Sequence, residues 1–382
     1  MKRVYTEELQ AGMIVARTVM GTEGRRFINQ NTELTANLIQ KLQELGIPSV
    51  FVKDNLIDIE SDDIVSNKVL ATVSATLKKS LNAFSHGKEL EMTALRKSVN
   101  LLIDEVVLNR NTLIQKEEIH SYDDYLLFHP INVSIYAIMT GLSLGYPESN
   151  IVDLGLGALL HDIGMMTIDR SIINNPGALK QKEMDAIKQH PEIGFNILRT
   201  YHELSATSAH IAYQHHERID GSGYPRGLRD KEIVEYAKIT AVADTFDAVI
   251  SDHPYRKAYS IADGLTVLKG LQNSFFDAEI VDAFISNVAF YPIGSLIRLV
   301  DGRIAVVIAA NRFNMTRPVI EIMTDEHGNP LKTNLTVDLQ QNSKVKISGG
   351  LNKQEVADVL ERISRTRANM PGKCSRAVEV LA

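Results

Sequence analysis

Apolar positions along the chain change period several times, and each change predicts a new structural unit. In residues 1–60, short apolar runs at 13–16 and 26–28 flank a turn containing Gly21 and predict strands. Leu38, Leu42 and Leu45 then recur at helical spacing over 35–45, before Gly46 in a C-cap position, and 49–52 predicts a further strand. This is the pattern of a small α/β unit, suited to regulation or oligomerisation. Between 63 and 118 the period becomes helical. Leu90, Leu95, Val99, Leu102 and Val106 form one stripe, with charged residues between them. The helical pattern continues through 120–290.

From 291 to 350 the runs at 296–300, 304–308 and 319–322 are β-rich, and Asp301-Gly302 and His327-Gly328-Asn329-Pro330 punctuate them as turns. A small antiparallel β unit follows from this pattern, then a last helix over 354–363 and a tail. The expected organisation is a mainly α chain: an α/β unit at 1–60, a helical connector at 61–99, a helical core at 100–290, a β unit at 291–350, and a C-terminal helix and tail at 351–382.

Composition narrows the function classes. The 382 residues carry a formal charge of −6, which disfavours coating long nucleic acid or an anionic membrane by charge alone. Cys374 is the sole cysteine, so intrachain disulfides and multi-cysteine metal sites are excluded. No apolar run reaches membrane-spanning length and the first residues lack a secretory pattern, so the expectation is a cytoplasmic protein without a membrane partner.

The histidines change the picture. Nine of the 11 lie between His120 and His253, where even scatter would place about four. Imidazole is a common ligand of first-row transition metals, so the clustering favours a metal site. His161-Asp162 ends an apolar run, 152–160, which suggests polar groups delivered into the interior, where they need partners. His215-His216-Glu217 precedes Asp220-Gly221-Ser222-Gly223-Tyr224-Pro225, a turn whose amides near Gly221 and Gly223 could meet an anion. His129 and His190 each precede a proline. Taken separately, these two read as helix caps. Asp244 and Asp247 lie three apart in an apolar helix and can share a face.

In that order, His161-Asp162-Ile163-Gly164, His190-Pro191, His215-His216-Glu217 with Gly223-Tyr224-Pro225, and Val242-Ala243-Asp244 resemble the HD-GYP family of cyclic di-GMP phosphodiesterases. That family lies within the HD superfamily of helical metal-dependent phosphohydrolases, and the likeness spans about residues 100–290. The resemblance implies metal ligation by His129, His161, Asp162, His190, His215, His216 and Asp244. Asp162 would bridge two ions and serve as the catalytic ligand. His129, His161 and Asp244 would hold one ion, and His190, His215 and His216 would serve the other. Tyr224 would line the substrate cleft. A pair of ions can clamp a phosphoryl group and lower the pKa of a bridging water, as diester hydrolysis requires. A His-rich, carboxylate-bridged set suits iron, manganese, zinc or nickel, and the mixed imidazole and carboxylate donors make iron or manganese the first expectation.

Three positions depart from the family pattern. Met165 stands where many members have a phosphate-facing Lys after HD-x-G. Tyr125 stands where some carry a Glu that supports a third metal, so two ions are expected. His253 replaces an Arg before Pro-Tyr, although Arg256 and Lys257 remain beside it. Together with Gly221, Gly223 and Tyr224, His253 and Arg256 are the expected substrate-binding residues.

The resemblance implies hydrolysis of cyclic di-GMP to pGpG, and onward to GMP, by a metal-bridged hydroxide. The alternatives are hydrolysis of another cyclic dinucleotide or nucleotide, and a low-turnover nucleotide-binding module acting through a signalling-protein partner or a homo-oligomer. The Lys180–Asp185 run reads as a solvated helix face. His120, His202 and His210 read as surface or supporting groups, and Cys374 as an ordinary thiol.

Overall fold

The computed structural model describes residues 2–16, 18–20, 26–45, 47, 49–53, 64–110, 112–114, 122–173, 175, 177, 180–251, 258–312, 314–351 and 353–368. The Gly21 turn, Gly46, His120, His253, Arg256, Lys257 and Cys374 therefore lie outside the described residues.

Near the N-terminus, strand Lys2–Tyr5 pairs antiparallel with Ser49–Val52, and Val19–Met20 pairs with Arg26–Ile28. Helix Ala36–Glu44 packs beside them, and its N-cap Thr35 accepts a hydrogen bond from the Leu38 N–H. The run at 13–16, expected as a strand, makes only single bridges, from Ile14 to Glu33 and from Val15 to Val52. The partner of Ser49–Val52 is instead Lys2–Tyr5. That stretch opens with two charged residues, Lys2 and Arg3, and carries little hydrophobic signal.

Residues 64–288 share one apolar core. Helices Asn67–Ser85 and Met92–Leu108, read as a connector, pack into this core through Leu70, Val73, Leu77, Leu95, Val99 and Leu102. Behind them lie Tyr122–Ser143 and Glu148–Leu159, followed by His190–Leu198, Ala206–Gln214 and Glu235–Val249. These helices carry long apolar runs because they are covered on most sides. In Glu235–Val249, residues Ala237, Ile239, Val242, Ala243 and Phe246 are all fully buried.

After the core comes a five-stranded antiparallel sheet. Its spatial order is Pro330–Asp338, Val319–Thr324, Ile304–Ala309, Leu296–Leu299, Ile347–Gly350. Alternating residues separate its two faces. Ile297, Leu299, Val307, Ile320 and Ile322 form one core. Leu296, Ile304, Val306 and Met323 form the other, covered by Leu360 and Ile363 of helix Lys353–Ala368. Strands Pro330–Asp338 and Ile347–Gly350 were not anticipated. The former is mixed in polarity and the latter ends in two glycines, so neither carries a strong β pattern.

One close approach positions the histidines. Helix Glu148–Leu159 ends before His161-Asp162, and the chain continues as a short 3-10 turn, Ile163–Thr167. A Cβ on Gly164 would lie 2.0 Å from the His190 carbonyl oxygen and 2.8 Å from the Gly194 nitrogen. Only glycine lets the turn after Asp162 rest on the start of His190–Leu198. Replacing Gly164 by Ala is expected to destabilise the protein by about 1–3 kcal/mol through overpacking against backbone. Urea unfolding of the two proteins checks this, and an unchanged midpoint would refute the close approach.

Candidate metal centre

Five helix ends or interiors bring the site together. His129 lies within Tyr122–Ser143, beside the in-helix Pro130. His161 and Asp162 follow the end of Glu148–Leu159, and His190 opens His190–Leu198. His215 caps the C-terminus of Ala206–Gln214, with His216 immediately after it, and Asp244 sits in the middle of Glu235–Val249. His129 is therefore not a helix cap.

All seven residues meet around the Asp162 carboxylate or beside it. Oδ1 of Asp162 is 3.2 Å from His190 Nε2 and 3.5 Å from His215 Nε2. Oδ2 is 3.4 Å from His161 Nε2 and 3.8 Å from His129 Nε2. His129 Nε2 also lies 3.2 Å from Asp244 Oδ1. The donors fall into two groups, Asp162–His190–His215–His216 and His129–His161–Asp244, each with its ligand atoms within 4.8 Å of one another. Asp162 keeps 30% of its side-chain surface accessible, while His161 and His215 have none. The carboxylate, together with the half-buried His216, is thus the part of the cluster open to a substrate.

The ring orientations are fixed by the other nitrogen of each histidine. Nδ1 of His161 lies 2.8 Å from the Ala158 carbonyl, and Nδ1 of His190 lies 2.7 Å from the Ile187 carbonyl. Nδ1 of His215 lies 3.1 Å from both the Ile211 and Ala212 carbonyls. A carbonyl can only accept, so Nδ1 must donate, and in the neutral ring Nε2 is left with a lone pair. His129 Nδ1 faces Asp247 Oδ2 at 2.8 Å in the same sense.

Lone pairs that converge on a carboxylate repel unless a cation or proton lies between them. Nε2 of His190 and Nε2 of His215 approach to 3.2 Å. Nε2 of His161 is buried with no hydrogen-bond partner. This donor set fits divalent transition ions, which would satisfy every one of these atoms.

Titration follows the same geometry. Burial pushes His129 down, but its hydrogen bonds to Asp244 and Asp247 and their charges prevail and raise it to about 10. Burial lowers His215, and burial together with the neighbouring His215 holds His216 well below the ordinary imidazole range. Burial opposes the charge on Asp162 and Asp244, yet the surrounding histidines hold both below the usual carboxylate range. Without metal, positive charge gathers near His129, and the His215–His216 side stays neutral and ready to ligate.

Two supporting carboxylates complete the site. Asp247 is fully buried, faces His129 Nδ1 and accepts from Asn132 Nδ2 at 3.1 Å. It orients the His129 ring rather than standing among the ligand atoms, whereas its spacing from Asp244 indicates only a shared face. The buried Glu217 accepts from the N–H groups of Arg226 at 2.8 Å and Leu228 at 2.9 Å, which ties down the loop that carries Tyr224. Gly223 is required there, because a Cβ would fall 2.4 Å from the Arg218 nitrogen and 2.5 Å from the His216 oxygen. The Gly221 N–H donates to the Arg218 carbonyl and the Ser222 N–H to Asp220, so these amides close the turn instead of offering themselves to an anion. Tyr224 stacks on His216 with ring centroids 4.6 Å apart. His202 is exposed, and His210 turns its Nδ1 toward its own helix.

Comparison with known proteins agrees with this architecture. Residues 100–280 match the HD domain family, and residues 296–359 match a KOW domain associated with HD domains. The helical core is an HD domain. Its motif series and its relatives place it with the HD-GYP proteins. A Pseudomonas aeruginosa protein named cyclic di-GMP phosphodiesterase is 34% identical over 225 residues, which are 58% of this chain and 54% of that protein. A Thermotoga maritima protein of the same name is 40% identical over 143 residues, 37% of this chain and 39% of its own. A Vibrio cholerae protein named 3'3'-cGAMP-specific phosphodiesterase 3 is 34% identical over 157 residues, 41% of this chain and 34% of its own. The chain spans about half the length of the first of these relatives and less of the other two. Among the described residues, no helix is long and apolar enough to cross a membrane.

Two outcomes follow from the geometry. A metal must displace the proton that His129 holds up to about pH 10, so loading between pH 7 and 9 releases protons and apparent affinity rises with pH. Manganese titration calorimetry in buffers of different ionisation enthalpy measures this, and zero proton release would contradict it. Asp247→Asn is expected to weaken manganese binding about 10- to 100-fold by loosening the His129 ring, as read by chelator competition.

Proposed function

We propose that this protein is a metal-dependent phosphodiesterase that hydrolyses cyclic di-GMP to linear pGpG, and onward to GMP. The observation that carries the reading is the Asp162 carboxylate, which has the Nε2 atoms of four histidines within 3.2–3.8 Å, divided between its two oxygens. His129, His161 and Asp244 would hold one divalent ion and His190, His215 and His216 the other, with Asp162 placed beside both sets of donors. Iron or manganese suits the mixed imidazole and carboxylate donors. When bound, such ions activate water and offset charge on the phosphoryl oxygens.

The chain's own groups do the positioning. Asp162 presents its accessible edge to the diester. Burial, then the Asp244 and Asp162 charges, push the Tyr224 phenol above its ordinary range. It therefore stays protonated and can donate a hydrogen bond to a substrate oxygen. Glu217 keeps that phenol in place by holding the loop behind it. His253 and Arg256 remain proposed substrate-binding residues from the family pattern. A single cysteine suits the reducing cytoplasm, where we place the protein.

A second reading, hydrolysis of 3'3'-cGAMP, is favoured by the Vibrio cholerae relative of that name and by the uncharged Met165. Both readings are tested by incubating manganese- or iron-loaded protein with each dinucleotide and resolving the products chromatographically. Cyclic di-GMP is expected to yield pGpG, and Asp162→Ala to lower the rate by at least about 10³-fold. Faster turnover of cGAMP would select the second reading. No turnover of either would refute both.

A further inference from the structure

The segment that follows Asp162, residues 163–169, brings no Lys or Arg to the site. Met165 supplies packing but no charge. Gly164 rests on the His190 carbonyl, so the segment carrying Met165 and the segment leading into His190 form one continuous wall. Lys188, two residues before His190, stands on that wall at the C-cap of helix Gln181–Ile187.

Its Nζ lies 5.4 Å from the centroid of the Tyr224 ring, and that ring stacks on His216. An ammonium group is therefore held one aromatic ring away from the metal-ligating donors. Two other cations of this region, Arg218 and Arg226, are engaged. Arg218 donates to the His215 and Glu217 carbonyls and lies over the Phe276 ring. Arg226 lies over the Tyr213 ring. Lys188 is exposed and forms no ion pair with a described residue. Its charge stays available, and the aromatic face beneath it restricts where that charge can go.

We propose that Lys188 binds a phosphate of the cyclic dinucleotide, supplying from the adjacent segment the positive charge that Met165 does not. This rests on the phosphodiesterase reading above. A flexible ammonium can meet an anionic oxygen that approaches across Tyr224 while the diester sits on Asp162. Its effect is on substrate affinity, and the bond-breaking step is left to the groups around Asp162.

The test uses the full metal-loaded chain and its Lys188→Gln and Lys188→Arg variants, with cyclic di-GMP as the probe. For Lys188→Gln, KM is expected to rise about tenfold, equivalent to about 1.4 kcal/mol. Its kcat should stay within about twofold, its metal content should be unchanged, and its KM should depend less steeply on salt. Lys188→Arg should restore most of the affinity. An unchanged KM in Lys188→Gln, or an equal fall in kcat, overturns the proposal. If the wild type turns over no cyclic di-GMP, the phosphodiesterase reading fails, and calorimetry then measures binding directly on the same loaded protein. Weaker binding by Lys188→Gln would still support the phosphate contact. Equal binding, or none by the wild type, would overturn it.

Discussion

Four imidazole rings turn their Nε2 atoms toward one carboxylate, and the rest of the helical core can be understood from that constraint. Each ring is held by its far nitrogen. Backbone carbonyls at Ala158, Ile187, Ile211 and Ala212 and the Asp247 carboxylate take up Nδ1. In the neutral rings the remaining lone pairs have nowhere to point but inward. A fold that leaves Nε2 of His161 buried without a partner carries an electrostatic demand that a hydrophobic interior cannot meet. Divalent cations meet it for all the donors at once. The same arrangement suits phosphodiester chemistry, because Asp162 and His216 remain partly accessible while His161, His190 and His215 are enclosed.

The apolar core works in the service of this geometry. All four anchoring carbonyls, at Ala158, Ile187, Ile211 and Ala212, come from last turns of helices, where carbonyls have acceptor capacity to spare. The ends of Glu148–Leu159 and Ala206–Gln214 are thus finished by the histidines that follow them. The close contact of Gly164 with the His190 carbonyl brings a third chain segment into register. Beyond the ligand atoms, Glu217 holds the Tyr224 loop by accepting two backbone hydrogen bonds. Two of the loop's amides, those of Gly221 and Ser222, close upon the loop itself.

Much of the helical core was legible because its signals are local. Helical stripes such as Leu95, Val99 and Leu102 name their own buried face, and each became fully buried. The central β runs were legible for the same reason. The weakly patterned elements were not: Lys2–Tyr5 is charged at Lys2 and Arg3, and Ile347–Gly350 ends in glycines. Such strands form because a partner edge is available, which is a long-range fact. Asp247 was visible three residues from Asp244, but periodicity could not tell a ligand from a group that orients one. Lys188 gave no signal beyond its place before His190, because its aromatic neighbour lies 36 positions away in the chain.

The amino-acid order determined the helical class of the core and gathered histidines and carboxylates within it, since periodicity and residue type carry both, while the likeness of its motifs to the HD-GYP family supplied the expected ligand set. Tertiary structure decided how the donors divide between the two oxygens of Asp162, which nitrogen of each histidine faces inward, and which cation stands over Tyr224. Those outcomes depend on how helix ends from distant parts of the chain abut. Contact and orientation at that range are properties of packing, and no local pattern encodes them.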